Sequence, residues 1–256
     1  MDAYWFEQKQ VDMPSSEDWL SNNEARVLRG LRFQKRREDW LLGRWTAKNA
    51  LAISLDLSAE PQTLKQIEVR ATISGAPEAF LRNQPAAATI SLSHREGIGA
   101  CAVVPSRVAL GCDLEKIEPR SDAFASDYFT AEEQGLIAYT DSASRDRLLA
   151  LLWSAKESAL KALGEGLRRD TRSVTVSLPS LQLIRTAPHQ RPGQEQFASD
   201  LPLSEAANWN ALQVHTADGQ SFCGWWMESG GFVRTLIADP PPKPPVLLKR
   251  ECYLAR

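Results

Sequence analysis

The chain has 256 residues, 43% of them apolar and 24% charged, enough to build a core as one large domain or two small ones. A formal net charge of −2 and a pI near 6.0 exclude a global positive field for nucleic acid or an anionic membrane, and no apolar run is long enough to span a bilayer. Four scattered cysteines (Cys101, Cys112, Cys223, Cys252) have neither C-x-x-C nor zinc spacing, and "MDAYWFEQKQ" lacks a signal-peptide pattern, so free thiols in a cytoplasmic protein are expected.

Residues 24–56 recur in apolar character at helical spacing without a proline, which predicts one or two amphipathic helices. They carry Arg26, Arg29, Arg32, Lys35, Arg36, Arg37, Arg44 and Lys48. Arg29, Arg36 and Arg44 are spaced to share a broad helix face, as are Arg37 and Arg44; a solvated face balanced by Glu24, Glu38 and Asp39 is the competing explanation. A looser stretch follows, with "SGAP" at 74–77 and "NQPAAA" at 83–88. "TISLSH" (89–94), the turn "REG" and "IGACAVV" (98–104) then read as a β-hairpin, and Pro105-Ser106 is a natural break.

Residues 107–117, "RVALGCDLEKI", alternate like a strand. A second helix is predicted from Ser144 to Leu163, with Gly164 placed to end it. "SVTVSL" (173–178) is a strand, 186–208 a polar loop, and 210–238 a three-strand meander with two turn signals. The last stretch, "ADPPPKPPVLLKRECYLAR", opens with polyproline and is expected to leave the domain as an arm.

"WTAKN" at 45–49 and "WSAKE" at 153–157 nearly repeat each other, 108 positions apart. Each lies on a predicted helix in a half that also contains a hairpin or meander. Either the match is chance, or the fold is α+β with two similar subdomains fused as an intramolecular pseudo-dimer. The second reading divides the chain into an N-terminal half (1–105), a C-terminal half (106–238) and a proline-rich arm (239–256).

On the strand at 107–117, Val108, Leu110, Cys112 and Leu114 share one face, and Ala109, Gly111, Asp113 and Glu115 the other. The second face offers two small residues, with room for a ligand, and then two carboxylates. Parallel carboxylates repel unless a cation lies between them or water screens them, so a metal site and the solvated end of an edge strand both fit. On the following helix Trp153, Glu157 and Lys161 succeed one another at intervals of four and line one stripe. A Glu–Lys pair at that spacing also decorates many helix surfaces. If Glu157 faces Asp113 and Glu115, three oxygen ligands suit Mg²⁺ holding a diphosphate, with Lys161 one turn further toward a departing phosphate.

"GCDLE" at 111–115 and "WSAKESALK" at 153–161 resemble the paired G-x-D-x-E and W-S-x-K-E-x-x-x-K motifs of the 4′-phosphopantetheinyl transferases, near the spacing of that family. "SLSH" (91–94), "GAP" (75–77) and "YFTAEE" (128–133) extend the resemblance over most of the chain, which is most similar to the long, single-chain surfactin-synthetase-activating type. Ala76 departs from it where many members carry lysine, and the proline-rich tail has no counterpart. The resemblance implies two fused copies of a small fold with the active site between them, Glu157 being kept in one copy where Asn49 stands in the other. It implies transfer of phosphopantetheine from coenzyme A to a serine of an apo acyl or peptidyl carrier protein, releasing 3′,5′-ADP. Asp113, Glu115 and Glu157 would hold Mg²⁺ (or Mn²⁺), Glu157 and Lys161 would be catalytic, and Gly75, Pro77, Ser93 and His94 would bind coenzyme A. Apart from the resemblance, the basic cluster suits the 3′-phosphate and an acidic partner, and Arg37 and Arg44 are its expected coenzyme A contacts. Glu133 matches a further acid of the family, with Glu132 adjacent. The expected state is a cytoplasmic monomer that binds neither nucleic acid nor membrane.

Two rival classes remain at this stage. A metal-dependent phosphohydrolase would use the same three acids on coenzyme A or a related diphosphate with no protein acceptor. An inactive carrier-binding module would need neither the acids nor Lys161.

Overall fold

The structure, a computed structural model, describes residues 1–179 and 208–249. The polar stretch read as a loop lies outside these residues except for its last position, as does Cys252. Helices and strands mix throughout. Strand β1 (Tyr4–Lys9) is followed by α1 (Asn22–Gly30), α2 (Gln34–Ser54) and the single turn α3 (Pro61–Leu64). Next come β2 (Ile67–Ala71), β3 (Pro77–Leu81), the short β4 (Gln84–Pro85), β5 (Thr89–Arg95) and β6 (Ile98–Val104). Strand β7 (Ala109–Lys116) leads into α4 (Asp122–Tyr128), α5 (Ala131–Ala138), α6 (Ser142–Ala162) and β8 (Val174–Ser177). Strands β9 (Asn210–Thr216), β10 (Ser221–Ser229), β11 (Phe232–Asp239) and β12 (Val246–Leu247) complete the described chain. The sheets have the orders β12-β1-β6-β5, β7-β11-β10-β9-β8 and β2-β3-β4. The region expected to be loose, 74–88, thus contributes two of three strands to a small sheet.

The basic block forms two helices, because Leu31 and Phe33 are extended between α1 and α2. Arg29 therefore shares no helix with Arg36 or Arg44. Nearly every residue from Leu42 to Ile53 is buried, so the second half of α2 is a core helix with no polar stripe. Helix α6 repeats that design from Leu148 to Leu160.

The resemblance between "WTAK" and "WSAK" continues into three dimensions. Lys48 and Lys156 are both fully buried. Lys48 pairs with Glu24 and donates to Trp19 O at 2.9 Å; Lys156 pairs with Glu133 at 2.8 Å and donates to Thr171 O at 2.9 Å. Each glutamate closes the capping box of a short helix (Ser21 with Glu24, Thr130 with Glu133), and each accepts a backbone N–H from a strand (Val69 at 3.0 Å, Val176 at 2.9 Å). Lys48 and Glu24, expected on a solvated face, are therefore core residues. Burial pushes both ammonium pKa values down, and the paired carboxylates oppose the shift.

A core cluster joins Trp5, Ala100, Ala102 and Val104 of the four-stranded sheet to Leu110, Cys112, Leu114, Leu236 and Ala238 of the five-stranded one. Arg234 reaches across to Glu7, with Nη2 and Oε2 2.9 Å apart. The proline-rich segment does not run off as an arm over its described part: β12 pairs in parallel with β1, and Lys243, Val246 and Leu248 donate to the carbonyls of Met1, Ala3 and Trp5 at 2.8–2.9 Å.

Face alternation on β7 is as expected, but its small residues serve packing. A Cβ on Gly111 would lie 1.7 Å from Ser158 O, so the glycine lets α6 press against the strand backbone and leaves no ligand space there. Cys101, Cys112 and Cys223 are free. Among the described residues no helix is long and apolar enough to cross a membrane.

Candidate active site

Close packing of α6 on β7 brings the two acid-bearing segments together. Asp113 is buried; its Oδ1 accepts from Lys161 Nζ at 2.8 Å and from Ser93 Oγ at 2.7 Å, and Lys161 also donates to Cys112 O at 2.9 Å. Asp113 Oδ2 is buried without a hydrogen-bond partner. Glu157 Oε2 lies 3.7 Å from Lys161 Nζ. Glu115 Oε2 is 3.2 Å from Arg120 Nη2 and 3.8 Å from Arg95 Nε. Asp113, Glu115, Glu157, Lys161 and Ser93 thus form one neighbourhood.

Their titration reflects crowding. Burial, then the charges of Asp113 and Glu115, lift the Glu157 pKa to about 7 against the pull of Lys161. Glu115 is raised by burial and by Asp113, with Arg95, Arg120 and a hydrogen bond from Trp153 opposing. For Lys161, burial disfavours the charge, but Asp113 and Glu157 outweigh it and the pKa is raised. Each acid has a cation nearby, Lys161 beside Asp113 and Glu157 and the two arginines beside Glu115, but Asp113 Oδ2 has no hydrogen-bond partner.

Beside it opens a cavity of about 890 Å³, walled by α2, the β2–β3 turn, β5, β7 and the end of α6. Arg44, Gly75, Pro77, Ser93, His94 and Lys161 all line it. Gly75 sits at φ +88° in the turn between β2 and β3, a conformation that a side chain strains. Arg44 stacks 4.6 Å from the Trp40 ring centroid, and its buried Nε lacks a hydrogen-bond partner. Arg37 is not among the lining residues: its Nη1 donates to Leu28 O at 2.7 Å, at the end of α1. Arg36 and Lys35 line the cavity instead. Arg36 was visible in the sequence as sharing a face with Arg44, eight residues on; nothing there signalled Arg95 or Arg120. Glu133 is held in its capping box and ion pair, away from the acid cluster.

The donor set suits a hard divalent cation: carboxylate oxygens, one of them buried and unpartnered, with burial and then mutual repulsion raising two pKa values. Among the described residues no three His, Cys, Asp or Glu side chains stand close enough to hold a metal ion by themselves. An incomplete protein cage is usual for Mg²⁺, which takes one or two carboxylates together with water and substrate phosphate oxygens. The residues fit such an ion as a shared one.

Comparison with known proteins falls on the same segment. Residues 109–220, from the start of β7 onward, match the family model of the 4′-phosphopantetheinyl transferase superfamily. The 4′-phosphopantetheinyl transferase HetI of Nostoc sp. is 32% identical over 81 residues, which are 31% of this chain and 34% of that protein. The match thus spans about a third of the length of this curated relative. Among solved structures, a holo-(acyl-carrier-protein) synthase from Bacillus anthracis in complex with CoA (3′,5′-ADP) aligns with 40% of this chain and 92% of its own, at 21% identity and a TM-score of 0.34.

Proposed function

We propose that the chain transfers 4′-phosphopantetheine from coenzyme A to a serine of an apo acyl or peptidyl carrier protein, releasing 3′,5′-ADP. The observation that carries this reading is a cavity lined by Lys35, Arg36, Arg44 and His94 whose wall includes Lys161, the lysine that pairs with Asp113 at 2.8 Å and lies 3.7 Å from Glu157. That layout suits a long phosphorylated substrate whose diphosphate must reach the acids.

In this reading Arg44, Ser93 and His94, with Gly75 and Pro77 shaping the wall and Arg36 in place of Arg37, hold the nucleotide end of coenzyme A. Asp113, Glu115 and Glu157 would hold Mg²⁺, which would neutralise the diphosphate. Glu157, whose pKa of about 7 leaves it part-ionised near neutrality, takes the proton from the carrier serine. The serine oxygen forms a bond to the phosphorus next to the pantetheine arm, and the bond to the bridging oxygen breaks. Lys161, which stays protonated, faces the charge that develops on the departing 3′,5′-ADP. Ser93 and Lys161 keep Asp113 oriented through its Oδ1.

The twin Lys–Glu cores and the inter-half cluster support descent from a fused pair of similar units working as a monomer, in the manner of the long surfactin-synthetase-activating type, in the cytoplasm. Intact-mass spectrometry of an apo carrier protein incubated with this chain, coenzyme A and Mg²⁺ tests the reading. A gain of one phosphopantetheine arm, absent with EDTA, is expected. Consumption of coenzyme A with no gain across several carriers would make the protein a hydrolase, and no consumption at all would leave a binding module.

A further inference from the structure

Resting on that reading, we infer that Arg95 and Arg120 are positioning residues that clamp Glu115 so that it meets the cation in a fixed direction. Both come from outside the acid-bearing motifs, Arg95 at the end of β5 and Arg120 after β7. Arg120 Nη2 lies 3.2 Å from Glu115 Oε2 and 3.2 Å from Glu118 Oε1; Arg95 Nη2 lies 2.5 Å from the same Glu118 oxygen, and its Nε 3.8 Å from Glu115 Oε2. Arg120 thus hydrogen-bonds one oxygen of Glu115, while Arg95, whose buried Nε has no hydrogen-bond partner, adds its charge at 3.8 Å and is tied to Arg120 through Glu118.

The clamp is itself held. Arg145, on α6, donates to Arg120 O at 3.1 Å and pairs with Asp122 at 2.6 Å, and the Arg120 guanidinium sits 5.0 Å from the Phe124 ring centroid. Neither clamping arginine lines the cavity. The Glu115 side chain is 11% exposed, too enclosed for this to be a solvent-facing ion pair with little effect. The arrangement also explains how acids two apart on one strand coexist: Asp113 takes its cationic partner from α6, and Glu115 has Arg120, after β7, and Arg95, at the end of β5, nearby. A carboxylate fixed at one oxygen presents the other in a defined direction, as partners outside the coordination sphere do in metal sites.

The test is Mn²⁺ binding, read by electron paramagnetic resonance of the free ion, with coenzyme A saturating and no carrier present. Arg120→Ala is expected to weaken Mn²⁺ binding by roughly 10–100-fold, and Arg120→Lys to recover part of the loss. Coenzyme A affinity measured in EDTA should stay at the wild-type value in both, which general structural damage would not allow. Unchanged or tighter Mn²⁺ binding in Arg120→Ala overturns the clamp, as does a loss of Mn²⁺ affinity matched by an equal loss of coenzyme A affinity. Should Arg120→Ala not fold, Arg95→Ala and Arg120→Lys are read by the same criteria. A wild type that binds neither coenzyme A nor Mn²⁺ removes the transferase reading, and the clamp with it; binding of both with unaltered variants removes the clamp alone.

Discussion

At Glu157 the requirements of stability and of chemistry oppose each other. Its carboxylate is held among Asp113 and Glu115 in a mostly buried setting, and its pKa rises from 4.5 to about 7. For a carboxylate raised in the folded state, the favourable contribution is complete below the unfolded pKa and is lost as pH rises through the folded value. Between pH 4.5 and 7 this group should reduce stability by up to about 1.4 kcal/mol per pH unit. Glu157→Gln removes the titration. In EDTA it should be more stable than the wild type at pH 8 and differ little at pH 4.5, while losing most transfer activity. Urea unfolding at the two pH values checks this; a variant less stable at pH 8 would mean that the Lys161 contact outweighs the repulsion. Acid and lysine were legible in the sequence at this scale because they sit at fixed offsets on one strand and one helix. That Arg36 and not Arg37 reaches the cavity wall was not legible, because neighbouring helix positions differ by about 100° of rotation, and the first turns of α2 have no apolar stripe to set the phase.

Helices α2 and α6 each thread a lysine through the core, and there the two lysines are structural. A buried ammonium is tolerable only when its charge is met and its protons are placed, which Glu133 and the carbonyls of Thr171 and Val174 do for Lys156. Removing one member strands the other. Lys156→Met should therefore destabilise the protein by about 3–5 kcal/mol, seen as a lower urea midpoint, although Lys156 touches no part of the cavity. A loss below about 1 kcal/mol would show that Glu133, with its two backbone N–H partners, is satisfied alone. The sequence presented both lysines as ordinary members of a repeat, and Lys48 as part of a surface patch. Helical periodicity could not reveal otherwise, because their partners lie on separate short helices and the pairing is a tertiary event. The hairpin at 89–104, the meander and α6 were legible because their turns and periods are local. The small sheet β2-β3-β4 was hidden by short strands joined through turn residues.

For the molecule as a whole, a cavity with walls from α2 and β5 on one side and β7 and α6 on the other requires the four- and five-stranded sheets to keep their relative position. Three features hold them: the shared apolar cluster, the Glu7–Arg234 pair, and the segment after β11, which runs from the five-stranded sheet to add β12 to the four-stranded one beside β1. Composition pointed away from the third, since a polyproline segment reads as a solvated spacer. Yet the prolines end before Val246, and the residues from there on have the N–H groups that β1 needs at its edge. Trp225 adds a side-chain tie, donating to Pro242 O at 2.9 Å. Truncation after Asp239 would remove three backbone hydrogen bonds and the packing of Leu247 and Leu248, a loss of about 2–4 kcal/mol. It would also bare the β1 edge to pairing with other chains. The truncated protein should unfold at lower urea and self-associate on warming, as light scattering would detect, and at low temperature it should still bind coenzyme A through the intact cavity. Unaltered unfolding would mean that the cluster and the Glu7–Arg234 pair hold the two sheets by themselves, and that the tail pairs with β1 without stabilising it.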